Sequence, residues 1–366
     1  MQIVEFAKGT LRFLESVPHQ PPPEGSFIWI YLEREQLEVD LPLVQRAAQT
    51  LGGSHVLDVH VKDLLNRSHP SRYDYTSVYD LVIFRRLATE QEVQAELGDA
   101  QARGTPLARF SRIRTRAVGY VVFDRLLITV HPERCFAART FIERYLSDAV
   151  QAEGLTAAAR SRLPVNAADL MIRMLNLMVD SYLELRKDLS SELDHWQQGL
   201  LAVGSRPADW GALMTARNAL HMLEDMCEEQ NDAMQEWLDT QREQPPSWMG
   251  QAELDGLLAR ARDVVEHIQR VVHHVRRMEQ GAETAVQIHF SAVGHRTNEI
   301  MRTLTALTAI FLPLNLIAGI FGMNFEFLPV IHSESGFWWT LGSMVGIAIG
   351  LGIVFWRKRY LARTAR

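Results

Sequence analysis

The chain has 366 residues, 47% of them hydrophobic, and a formal charge of −6, which is enough length for two domains. The mildly acidic balance excludes a nucleic-acid binder, which needs a basic face. The two cysteines, Cys135 and Cys227, share no metal-ligand spacing and read as reduced cytosolic thiols rather than a disulfide.

In chain order, the opening MQIVEFAKGT lacks a basic segment followed by an apolar run, so no signal peptide is expected. Residues 1–165 read as a mixed α/β domain. Strands are predicted at Phe27–Leu32 and Tyr79–Phe84, and Gly119–Val130 reads as a hairpin turning near Asp124-Arg125. Helical periodicity marks Val44–Leu51 and Arg139–Glu153. Mixed strands and helices in one soluble block imply a sheet covered by helices. The order of the strands is not legible.

From Asn166 the composition shifts to helix formers. Residues 166–249 read as an antiparallel helical pair, Ala167–Leu201 and Trp210–Gln241, joined by a loop at Gly204–Pro207. The second helix is acidic, with Glu224, Asp225, Glu228, Glu229, Asp232 and Glu236. Those carboxylates form either a solvated face or a cation-collecting surface. After Pro245-Pro246, helical pattern runs from Gly250 with no proline until Pro313. Residues 250–322 therefore form a stalk helix of about 70 residues, roughly 105 Å long, which continues into a membrane span. Pro313 removes one backbone hydrogen bond inside that span and predicts a kink or local widening. His267 and His274 lie seven apart on the stalk, but no cysteine or carboxylate completes a zinc site.

Two uncharged apolar runs close the chain, Thr303–Phe325 and Ser335–Trp356, each long enough to cross a bilayer as a helix. Residues 323–336 are the loop between them, 337–356 the second transmembrane helix and 357–366 a basic tail. Arg296 and Arg302 precede the first run, Arg357-Lys358-Arg359 follow the second, and Asn324–Gly336 holds no Lys or Arg. The positive-inside rule puts both termini in the cytoplasm of a plasma (inner) membrane protein. Trp338, Trp339 and Trp356 sit where interfacial anchors belong.

The first run is not apolar all round. Asn298, Met301, Thr305, Thr308, Leu312, Asn315, Gly319 and Gly322 alternate steps of three and four. Amides and hydroxyls inside a membrane are costly unless they face a bundle interior or water, so this stripe reads as pore-lining. Two helices per chain cannot enclose an aqueous path, so the chain must assemble as a ring of copies. The competing reading is a helix–helix interface of small residues.

The stretch Thr297-Asn298-Glu299-Ile300-Met301, then Leu304-Thr305, Phe311-Leu312-Pro313-Leu314, Ala318–Glu326 with its Gly322-Met323-Asn324, and Leu328-Pro329 resembles the CorA magnesium channels of the two-transmembrane GxN superfamily. The likeness is dense over 297–329 and faint over the soluble domain. It implies an α/β cytosolic domain, a long stalk helix and two C-terminal transmembrane helices in a funnel-shaped homopentamer. It also implies a pore mouth at Gly322, Met323 and Asn324, where Asn324 holds Mg²⁺ through its hydration shell. Asn315 and Thr308 become further polar rings, Met301, Leu304 and Leu312 apolar constrictions, and Asn298 the cytosolic end. Glu326 is a weak cation collector at the mouth. Gln287 stands where the family carries an acidic magnesium-sensing residue, and an amide is a poorer ligand for a hard cation.

The expected function is passive influx of Mg²⁺, with Co²⁺ or Ni²⁺ as further cargo, needing no cofactor and no catalytic residue. The expected partners are divalent cations, lipid and copies of itself. The alternative is a zinc transporter of the same superfamily, coupled to protons. A membrane-anchored sensor without conduction is the reading from another class.

Overall fold

The computed structural model describes residues 1–7, 10–97, 108–111, 113–133, 135, 163–201, 210–323 and 334–358. The chain divides into two compact units, Met1–Glu283 and Thr284–Arg366.

The first unit is built on a seven-stranded sheet. Its strands are β1 (Gln2–Ala7), β2 (Thr10–Leu14), β3 (Ser26–Glu33), β4 (Arg72–Tyr75), β5 (Asp80–Leu87), β6 (Thr115–Val122) and β7 (Leu126–His131). Their spatial order is β2-β1-β3-β7-β6-β5-β4. Every pairing is antiparallel except β3 with β7, which joins Ile28 to Leu126 and Leu32 to Val130. These two central strands read as unbroken apolar runs because both their faces are covered.

Alternation splits β3 cleanly. Ile28, Ile30 and Leu32 join a buried cluster with Leu37, Val44, Val61 and Leu64, which come from α1 (Arg34–Ala47) and α2 (Asp58–Leu65). Phe27, Trp29 and Tyr31, one residue out of step, fall on the other face. There Trp29 Nε1 donates to Thr129 Oγ1 at 2.9 Å. Gly119 on β6 leaves room for α2, since a Cβ at this position would stand 2.2 Å from Leu64 Cδ2 and push that side chain aside.

The helix expected over Val44–Leu51 begins ten residues earlier. α1 starts at Arg34 and runs through Pro42, and a π-helical turn, Ala48–Gly52, follows it. Gln36 Oε1 accepts the Glu33 N–H at 3.2 Å and caps that earlier start. The helix expected over 139–153 lies outside the described residues.

Two short helices, α3 (Glu90–Leu97) and α4 (Ala108–Ser111), precede β6. Thr89 and Glu92 form a reciprocal cap on α3, with Thr89 N donating to Glu92 Oε2 at 2.8 Å and Glu92 N to Thr89 Oγ1 at 3.3 Å. The same carboxylate receives both Arg86 amino groups, at 2.8 and 2.6 Å, inside the core.

Three long helices follow: α5 (Ala167–Leu201), α6 (Trp210–Glu243) and α7 (Gln251–Phe321). Cross-links give their directions. Asp169 binds Arg260, Asp180 meets His267, Ser190 meets His274 and Gln197 binds the Gly281 carbonyl; both numbers rise together, so α5 and α7 run parallel. Asn231 pairs with Gln269, Glu228 and Glu224 with Arg276, and Arg217 with Glu283. One number falls as the other rises, so α6 runs antiparallel to both. Asp80 fastens α6 to the sheet by accepting from Trp237 Nε1 at 3.2 Å and Gln241 Nε2 at 2.8 Å. Burial pushes its carboxyl up to about 6.

The second unit holds the end of α7 and α8 (Glu334–Arg357). Both are long and apolar enough to cross a membrane. Only 6% of the apolar window in α7 and none of that in α8 is buried, so these are not core helices of a soluble fold.

Candidate pore helix

Asn298, Met301, Leu304, Thr305, Thr308, Leu312, Asn315 and Gly319 all lie on α7 and are all exposed in the protomer. Exposure of Leu312 reaches 65% and of Met301 60%. The covered positions fall elsewhere: Ala306 is buried, and Ala309, Ile310, Pro313, Leu314 and Ile317 are half-buried. At 100° per residue the centre of the polar stripe lies roughly 150° around the helix from the centre of this covered face. The two faces are distinct, and the polar one is left open.

The threonines on the stripe have a specific donor state. Thr305 Oγ1 donates to the Met301 carbonyl at 2.8 Å, and Thr308 Oγ1 to the Leu304 carbonyl at 2.9 Å. Each hydroxyl proton is spent on the helix's own backbone. What remains outward is oxygen lone pairs. A hydrated dication presents water hydrogens to its surroundings, and these oxygens can accept from them.

α7 continues through Pro313 to Phe321. Beyond it, Gly322 N donates to the Ala318 carbonyl at 2.9 Å and Met323 N to the Ile320 carbonyl at 3.3 Å. These contacts close the helix end and leave Met323 50% exposed. Asn324 and Glu326 lie outside the described residues. Gln287 is exposed on α7.

Several other polar groups singled out in the sequence have partners. Arg276 bonds Glu224 and Glu228, and Glu229 Oε2 accepts the Ser71 N–H at 3.0 Å. Against the expectation that no carboxylate stands by it, His267 has Asp180 of α5 at 3.4 Å and Asp263, one turn earlier on its own helix, at 3.6 Å. His274 meets Ser190 Oγ at 3.0 Å. Cys135 and Cys227 are both buried, and Cys135 Sγ accepts from Arg86 Nη2 at 3.0 Å.

The profile of the CorA-like Mg²⁺ transporter proteins matches residues 24–359. The chain belongs to this family. Among solved structures it is similar to the complete CorA magnesium transporter from Methanocaldococcus jannaschii, with a TM-score of 0.72 at 18% identity and 98% of both chains covered. It is also similar to the full-length CmaX protein, at a TM-score of 0.68, 16% identity and 98% and 97% coverage. These likenesses show the fold: an N-terminal α/β unit, a long helix and two C-terminal apolar helices. Among curated relatives it is 35% identical over 100 residues to the cobalt/magnesium transport protein CorA of Thermotoga maritima, covering 27% of this chain and 28% of the relative. It is 34% identical over 96 residues to a putative metal ion transporter, YfjQ, of Bacillus subtilis, covering 26% and 30%. The chain thus aligns over less than a third of the length of these curated relatives.

Proposed function

We propose that this family member is a divalent-cation channel that lets hydrated Mg²⁺ enter the cell passively, with Co²⁺ and Ni²⁺ as further cargo. The observation that carries this reading is the stripe from Asn298 to Gly319, exposed along a helix of membrane-crossing length. A lone protomer would set those amides and hydroxyls against lipid. A ring of copies, a pentamer on the family resemblance, turns them toward an axial water path. Both termini are then cytosolic and the 323–336 segment faces outward.

Mg²⁺ gives up its waters reluctantly. A neutral mouth at Gly322, Met323 and Asn324, followed by acceptor rings at Asn315 and Thr308, can recognise the aqua ion by size and hydrogen bonding without holding it. The relatives' names support the cargo: magnesium for the Haemophilus influenzae protein and cobalt with magnesium for that of Thermotoga maritima. The driving force is the potential. A dication moving inward gains about 4.6 kcal/mol per 100 mV, so neither a nucleotide nor catalysis is needed.

The test is Mg²⁺ influx into liposomes carrying the intact chain, under an inside-negative potential, against Asn324→Ala. The reading expects influx without nucleotide and at least a tenfold loss in the variant. Equal flux in both removes the pore mouth from the account. Zn²⁺ influx that depends on a proton gradient, with no Mg²⁺ influx, replaces it with the zinc reading.

A further inference from the structure

Away from the stripe, the fold brings His221 and Glu224 of α6 against Glu279 of α7. One ligand atom from each lies within 4.8 Å of the other two. His221 and Glu224 are three apart and so share a helix face, and Glu279 comes from the antiparallel neighbour. We propose that these three side chains bind a borderline transition-metal dication, Zn²⁺, Co²⁺ or Ni²⁺, in preference to Mg²⁺, and so clasp α6 to α7.

The donor set decides the metal class. An imidazole suits Zn²⁺, Co²⁺ and Ni²⁺, whereas Mg²⁺ takes oxygen ligands and keeps its waters. The mounting is firm, because Leu220 and Leu223 on α6 and Met278 on α7 are buried beside the ligands. Arg276 Nε donates to Glu224 Oε1 at 2.6 Å and also meets Glu228, which fixes Glu224. Asp225 Oδ2 stands 3.9 Å from His221 Nε2, as a carboxylate that orients the imidazole or adds a fourth donor. His221 is exposed, so an ion reaches it from solvent.

The electrostatics agree with that geometry. Arg276 chiefly holds the Glu224 carboxyl below the usual range, while burial and then Glu224 itself push that of Glu279 above it. Two carboxylates pressed together in this way gain from a dication between them.

This site goes beyond the transport reading and stands without it. The test is equilibrium binding of Co²⁺ to the intact, chelator-stripped protein in detergent, carried in an Asn324→Ala background so that the proposed mouth does not contribute. One Co²⁺ per chain should bind and persist in a hundredfold excess of Mg²⁺. His221→Ala and Glu279→Gln should each weaken that binding at least tenfold. His221 is exposed, so its replacement leaves the packing intact, and circular dichroism checks that it does. Co²⁺ binding that neither variant weakens, or that Mg²⁺ displaces at equal concentration, overturns the proposal.

Discussion

The two units treat polar side chains in opposite ways. In Met1–Glu283, buried charge is answered inside the chain: Arg86 by both oxygens of Glu92, and Asp169 by Arg173 at 3.2 Å and Arg260 at 2.9 Å. In Thr284–Arg366 the polar stripe and the large apolar side chains are both on the outside of the protomer, with Asn315 exposed beside Leu316 at 61%. The first unit carries its own core. The second needs lipid for its apolar faces and, on the proposed reading, further copies for its polar one. A substitution in the first should therefore be felt as stability, and one on the stripe as flux.

The largest effect expected is at the Arg86–Glu92 pair. Glu92→Ala strands a buried guanidinium and should cost about 3–5 kcal/mol in denaturant unfolding of the intact protein, with Arg86→Met added to it restoring part of the loss. A cost below about 1 kcal/mol would show that the pair is no more than a surface contact and blur the contrast between the units.

His131 gives the next effect, through pH. It is buried, and burial first, then Arg86 and Arg34, lower its pKa to about 3. The unfolded chain takes up this proton near pH 6.5 while the folded one refuses it. Its contribution is thus fully present above 6.5 and falls by about 1.4 kcal/mol per pH unit as the pH drops toward 3. Stability measured against pH should flatten by that slope in His131→Gln. An unchanged slope would mean that the folded protein protonates this imidazole.

On the stripe the readout changes. Asn315→Leu should leave unfolding within about 0.5 kcal/mol and cut Mg²⁺ flux roughly tenfold, about 1.4 kcal/mol in barrier terms. The smallest effect is expected for Thr308→Val, which removes one acceptor oxygen at nearly constant shape. A loss of about threefold in flux, near 0.7 kcal/mol, with unchanged stability sharpens the comparison. Loss of stability with unchanged flux in both would make the stripe a packing surface.

What was legible in the sequence was whatever is periodic and local. The α5 and α7 helices, the apolar run of α8 and the central strands β3 and β5 to β7 carry their own patterns, and the elements fall close to the expected residues. That the stripe residues share one helix face was legible for the same reason. The short strand β4, Arg72–Tyr75, is polar, and β2 exposes Phe13 at its edge, so neither announces itself. Sheet order rests on β3 pairing with β7 some hundred residues later, which no local pattern encodes. The approach of Asp180 to His267 and the meeting of His221 with Glu279 likewise depend on α5, α6 and α7 packing side by side. Long-range packing creates such sites after the helices are in place.

The most direct test of the account is the reaction of single cysteines with a membrane-impermeant thiol reagent along α7, in a chain whose buried Cys135 and Cys227 are replaced by alanine. Cysteines at 301, 305, 308, 312, 315 and 319 should react, be protected by Mg²⁺ and contrast with unreactive ones at 306, 310 and 317. Uniform silence along the stripe, or equal reaction on the covered face, would contradict a water-filled path lined by these residues.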